Sequence, residues 1–168
     1  MDDLAKVLPQ PRRTLLAARA DYLAAFDELV AVARRELRVF DPDCSQLELN
    51  APARHEHLRQ FLLASRDNRL LLAVHDPDHL ERHCPRMLKL VAEFSTAIAI
   101  HRTEGEAARA QDCFVLADAE HFVRRQVAAQ PRGVYCLNHY QDARLMRERY
   151  DEIWQHSVPA ISATTLGL

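Results

Sequence analysis

Nine histidines and four cysteines carry the widest chemical reach in this 168-residue chain. The densest group is His75-Asp76-Pro77-Asp78-His79-Leu80-Glu81-Arg82-His83-Cys84. On a helix, His79 and His83 stand one turn apart on a common face, and His75 or Cys84 would complete a transition-metal set. The spacing lacks the glutamate of a His-Glu-x-x-His motif, and no other Cys or His cluster has ligand spacing. A solvated, histidine-rich helix start explains the same residues, because nine histidines make close pairs by chance. The sequence favours no metal and implies no cofactor.

A second constellation is scattered along the chain. Asp41, His75-Asp76, His101-Arg102 and Asn138-His139 each follow a run that reads as a strand. Parallel strands would collect these groups at their carboxyl edge, where open α/β sheets bind ligands. There His101 and Arg102 would meet an anion, with Asn138 as a neutral donor. Polar residues must follow strands in any fold, so the pattern is suggestive of a cleft without specifying one. Cys113 is a nucleophile only if a base such as His101 or His139 activates it. No base stands at a fixed spacing, and an inert buried thiol is the simpler reading. Arg124-Arg125 and Arg144/Arg147/Arg149 read as solvated helix exteriors, the latter laced with i,i+4 partners at Glu148, Asp151 and Glu152. No stripe of basic residues interleaved with stacking aromatics points to nucleic acid.

The elements that would position these groups follow from periodicity. Residues 1–10 read as a flexible arm, residues 11–157 as a single α/β domain, and residues 158–168 as a tail that docks as a strand or stays mobile. A helix opens at Thr14 as its cap and carries Leu15, Ala18, Tyr22, Ala25, Phe26, Leu29, Val30 and Ala33 on one stripe. Leu37–Phe40 is a strand stopped by Asp41-Pro42. A loop or short strand around Leu47 and Leu49 leads to a helix over 53–65 that buries Leu58, Phe61 and Leu62. Leu70–Val74 is the next strand, again ended by Asp-Pro. A helix over 77–94 bends at Pro85, and Ala97–Ile100 is a third strand. Phe114–Leu116 is a fourth, after which Asp118 caps a helix through Phe122 and Val127 that ends at Pro131-Arg132-Gly133. Val134–Leu137 and a helix over 141–156, burying Ala143, Leu145, Met146, Tyr150, Ile153 and Trp154, close the domain. Apolar runs alternating with helices specify a mainly parallel or mixed sheet of five to seven strands, with helices on both faces.

Composition narrows the class further. With 22 basic and 24 acidic residues the formal charge is −2, so no global field draws the chain to nucleic acid or anionic lipid. The cysteines (Cys44, Cys84, Cys113, Cys136) show no paired short spacing, and no apolar run approaches the length of a membrane span. Reduced thiols in a cytoplasmic protein are the expectation.

One stretch ties the strands to a family. Gln111-Asp112-Cys113-Phe114-Val115-Leu116-Ala117-Asp118 sits where one half of the phospholipase D superfamily carries its His-x-Lys-x4-Asp motif. The preceding order resembles such a half, from Ala33–Asp41 through Arg69–Val74 to Ala97–Ile100. The closing helix is similar to the family's F-x-x-x-W pattern, here Tyr150-Asp151-Glu152-Ile153-Trp154 with the small residue Ala143. The resemblance covers residues 25–157 and implies that fold. It also implies a damaged site: Gln111 replaces the histidine, Cys113 the lysine, and only Asp118 is kept. The chain is similar, too, to short bacterial proteins of unassigned function.

In the family, one histidine attacks phosphorus, a second protonates the leaving oxygen, and the lysines hold the non-bridging oxygens. A carboxamide has no basic lone pair and a neutral thiol adds no positive charge. A single half supplies half a site, so the resemblance also implies a homodimer. The reading that results is a non-catalytic binding or interaction module for a phosphate-bearing ligand or a protein partner. The alternatives are a phosphodiesterase or other hydrolase working through a different residue set or a metal, and a structural partner of a neighbouring enzyme.

Overall fold

A computed structural model describes residues 9–167. The flexible arm expected over 1–10 lies almost wholly outside these residues. Eight strands form one mixed sheet in the order β1-β7-β6-β5-β2-β3-β4-β8. They are β1 (Arg12–Leu16), β2 (Glu36–Asp41), β3 (Arg69–Val74), β4 (Ile98–Thr103), β5 (Cys113–Ala117), β6 (His121–Arg125), β7 (Gly133–Leu137) and β8 (Ser157–Ile161). Only β2-β3 and β3-β4 pair in parallel; the other five pairings are antiparallel.

Helices α1 (Arg19–Val32), α2 (Pro52–Leu63), α3 (Asp78–His83) and α4 (Pro85–Glu93) precede or link the parallel strands, and α5 (Tyr140–Gln155) joins β7 to β8. Residues of α1, α2 and α4 share one core with Leu37, Val39, Leu70, Leu72, Val115 and Val123. On the other face α5 sets Ala143, Met146, Tyr150 and Ile153 against Phe40, Phe114, Leu116 and Phe122. Central strands covered on both faces must be apolar throughout, and every residue of β5 is buried. Each buried Leu or Phe contributes about 2 kcal/mol of transfer free energy.

The sheet has eight strands, more than the five to seven expected. Thr14 lies in β1 opposite Tyr135 and caps nothing; α1 starts later, where the Asp21 carboxylate accepts the backbone N–H groups of Ala17 and Ala18 at 3.1 and 2.9 Å. Glu120–Ala129 is not a helix. The chain reverses at Asp118–Glu120 and returns as β6, with Phe122 and Val123 alternating between the two cores. The helix expected over 77–94 is broken in two at Cys84, since Pro85 supplies no N–H to continue the first half. Residues 158–161 of the expected tail, together with Ser157, form β8 and pair with β4. Leu145, expected in the core, is 62% exposed. Between β6 and β7 the backbones crowd at Gly133, where a Cβ would stand 2.6 Å from the Arg124 carbonyl oxygen.

Candidate functional site

The direction of each strand decides which chemistry can meet. β2, β3, β4 and β6 finish at the same edge of the sheet at which β5, β7 and β8 begin. Asp41, the His75-Asp76 pair, Cys113 and Arg125 therefore lie along one edge. Asn138 and His139 lie at the opposite edge, because β7 runs against β6. There the Asn138 N–H donates to His121 Nδ1 at 2.9 Å and the His139 N–H to the Glu120 carbonyl. These two do not join the others.

The sheet then divides the edge group by face. Asp41 and Cys113 point toward α1. The His75 ring packs on the edge of Phe40, with Nδ1 2.6 Å from Thr103 Oγ1 and Nε2 2.8 Å from the Ala110 carbonyl oxygen. His101 stacks on Trp154 at 3.7 Å on the α5 side, with Nδ1 2.9 Å from Ser157 Oγ; burial lowers its pKa. Arg102 is exposed beside Glu104, and Asp76 accepts the Asp78 N–H at the start of α3. The expected single cleft is thus distributed over two faces and two edges.

The histidine group separates in the same way. His79 and His83 face each other at 5.3 Å between ring centroids, while Cys84 is buried and both His75 nitrogens are engaged. Among the described residues no three His, Cys, Asp or Glu side chains converge as a metal set.

A compact buried cluster forms around Cys113 instead. Tyr22 of α1 places its hydroxyl 3.6 Å from Cys113 Sγ. The Arg125 guanidinium, paired across the β5–β6 hairpin from Cys113, lies 4.2 Å above the Tyr22 ring, and its Nη1 donates to Gln46 Oε1. Arg125 is 2% exposed, and its Nε and Nη2 have no hydrogen-bond acceptor among the described residues. It is not on a solvated helix exterior. Asp41 lies in the same cluster, and its Oδ1 accepts the backbone N–H groups of Asp43 and Cys44 at 3.1 and 2.6 Å. Cys44 takes a left-handed φ of 62° to make that turn, a conformation costly for a side chain with a Cβ.

Burial dominates the electrostatics here. It pushes Asp41 up to about 6, against the lowering effect of its two backbone donors. It pushes the Cys113 thiol up to about 11, and raises Tyr22 and Cys44 well above their ordinary values. At neutral pH Cys113 is therefore a closed-in thiol, and Gln111, two residues before it, is exposed, its backbone carbonyl accepting the Ala128 N–H.

The far end of β5 is different in kind. Asp118 adopts φ 56° in the tight turn, and its carboxylate accepts the backbone N–H groups of Arg34, Arg35 and Glu36 at 2.8 to 3.1 Å. It caps the α1–β2 connection and no helix of its own. Sequence reasoning missed Tyr22, Arg125, Gln46 and also Asp112, a buried carboxylate held by Arg124 and Arg149. His121-Phe122-Val123-Arg124-Arg125 does not alternate polar with apolar, so the sequence carried no signal that Arg125 is buried.

With this geometry in place, comparison locates the chain among known proteins. Residues 18–166 match the family described as Domain of unknown function (DUF7931). The chain belongs to the DUF7931 family. No curated protein sequence matches it. Among solved structures this DUF7931 member is similar to TrmBL2, an archaeal chromatin protein described as showing a novel mode of DNA binding. The TM-score is 0.67 at 11% identity, over 94% of this chain and 58% of that one. It is similar to NucT from Helicobacter pylori, with TM-score 0.62 and 8% identity over 90% of this chain and all of the other. It is also similar to Nuc from Salmonella typhimurium, a phospholipase D family member, with TM-score 0.59 and 12% identity over 91% of this chain and all of the other. Identities this low establish the fold alone: this chain has a phospholipase D-like fold. No helix among the described residues is long and apolar enough to cross a membrane.

Proposed function

We propose that this DUF7931 protein is a non-catalytic binding or interaction module on a phospholipase D-like scaffold whose catalytic motif is reduced to Gln111, Cys113 and Asp118. One observation carries the reading: at the start of β5, where the resemblance places the attacking histidine and the charge-stabilising lysine, stand an exposed carboxamide and a buried thiol raised to about 11. Tyr22 and Arg125 close over that thiol, so a phosphate group has neither a nucleophile nor an approach. A homodimer in the cytoplasm, recognising a phosphate-bearing ligand or a protein partner, is the assembly this reading favours.

The test is turnover of an activated aryl phosphodiester by tag-free protein, with and without chelator. Release of the aryl alcohol at the buffer rate is the expected result. Turnover that persists in chelator and disappears in Cys113→Ala would overturn the reading. Sedimentation of the same sample at micromolar concentration is expected to show the mass of two chains.

A further inference from the structure

The α5 face of the sheet is roofed unevenly. α5 covers the central strands, but beside it β6, β7 and β1 leave a groove of about 600 Å³. That volume lies in the range of small-molecule sites, and such sites are typically apolar with a few placed polar groups. Leu15, Phe122, Val134, Leu145 and Met146 supply the apolar lining. Leu15 and Leu145 are 77% and 62% exposed, apolar surface left in water.

The polar part of the lining has one dominant sign. Arg13, Arg124 and Arg132 border the groove against a single carboxylate, Asp142, whose Oδ2 is 3.6 Å from His139 Nδ1. Among the described residues Arg13 and Arg132 have no acidic partner within 4 Å, while Arg124 is paired with Asp112 at 3.2 Å and keeps only a buried Nε–H without an acceptor. Arginine presents a planar fork suited to carboxylate and phosphate oxygens. A second copy of this chain is a poor occupant, since a self-complementary contact would bring arginine against arginine.

We infer that this groove is a binding site for an anionic amphiphile: a molecule with an aliphatic body, held by Leu15, Val134, Leu145 and Met146, and a carboxylate or phosphate head held by Arg13 and Arg132. The site is on the opposite face of the sheet from Cys113 and does not depend on whether the strand edge is catalytic.

The probes are decyl phosphate, decanoate and decanol, titrated calorimetrically into tag-free full-length protein below their self-association concentrations. Saturable one-to-one binding of at least one anionic probe is expected, with decanol weaker by on the order of tenfold. Tighter binding of decyl phosphate assigns the head to a phosphate ester, and tighter binding of decanoate assigns it to a free acid. Leu145→Asp and the double variant Arg13→Glu/Arg132→Glu alter exposed side chains, so both fold, and each weakens binding by on the order of tenfold or more. Leu63→Asp, at a similarly exposed leucine on α2, leaves binding unchanged. Non-saturable uptake, equal affinity for decanol, or affinity unaffected by Leu145→Asp would overturn the assignment.

Discussion

The two ends of β5 are five residues apart and do opposite things. At one end Asp118 spends its whole carboxylate on the N–H groups of a loop more than eighty residues earlier. At the other, Cys113 sits among Tyr22, Arg125 and Asp41, with its thiol and the Tyr22 phenol held in their neutral forms by burial. The contrast separates two kinds of work within one proposed motif. On the reading proposed above, Asp118 is the retained residue and holds the fold, while Gln111 and Cys113 stand in for the groups through which chemistry would run. Under that proposal the scaffold outlasts its reacting groups because they do not hold its outline.

The sharpest way to break this comparison is Asp118→Ala. It removes three charge-assisted acceptor contacts and leaves a Cβ at φ 56° with no side-chain compensation, a loss of about 3–4 kcal/mol by urea unfolding. Asp118→Asn, which tolerates that φ and keeps one acceptor oxygen, loses less. An alanine variant as stable as the parent would remove the structural role assigned to this end.

Next in size is a pH effect at the other end. The Asp41 pKa is raised from 3.8 to about 6 in the folded chain. The stability it contributes is present in full below the unfolded value and is lost as pH rises through 6. Asp41→Asn keeps an acceptor for Cys44 and does not ionise. Its stability relative to the parent is expected to be similar at pH 4 and higher by about 2–3 kcal/mol at pH 7.5. A difference that does not grow over that window would show that Asp41 is not the buried acid described. The smallest effect is that of Cys113→Ala, about 1–2 kcal/mol from lost packing and the Tyr22 contact. In the parent, Cys113 is expected to resist iodoacetamide at pH 7.5 until urea unfolds the chain; rapid native alkylation would mean an accessible thiolate.

The sequence was most legible where burial is simple. Leu37–Phe40, Leu70–Val74, Phe114–Leu116 and Val134–Leu137 read directly as strands, because a strand covered on both faces has no room for polar residues. The strands that were missed (β1, β6) or left open (β8) each carry a conflicting feature. Arg12-Arg13-Thr14 is polar because β1 is an edge, Pro159 interrupts β8 at the other edge where its missing N–H is harmless, and Arg124-Arg125 gives β6 the composition of a helix surface. Asp41 was legible through its Asp-Pro stop. The company it keeps was not: Tyr22, Gln46 and Arg125 meet only after α1 packs on the β5–β6 hairpin, and no spacing in the chain records that meeting. Asn138 and His139 were misplaced for a related reason, since the direction of β7 depends on a turn that had been read as a helix.

The Asp118 clasp has a kinetic side. It joins positions 82 to 84 residues apart, and β2 cannot acquire its β5 neighbour until the intervening helices and strands are threaded past. Closing a loop of that length adds little to the equilibrium cost but delays the search for native pairing. Before closure, Leu37, Val39 and Phe40 line an open strand edge on a nascent β2-β3-β4 unit. Crowded refolding would then be decided by whether this seam finds Phe114–Ala117 of its own chain before it finds another chain's edge.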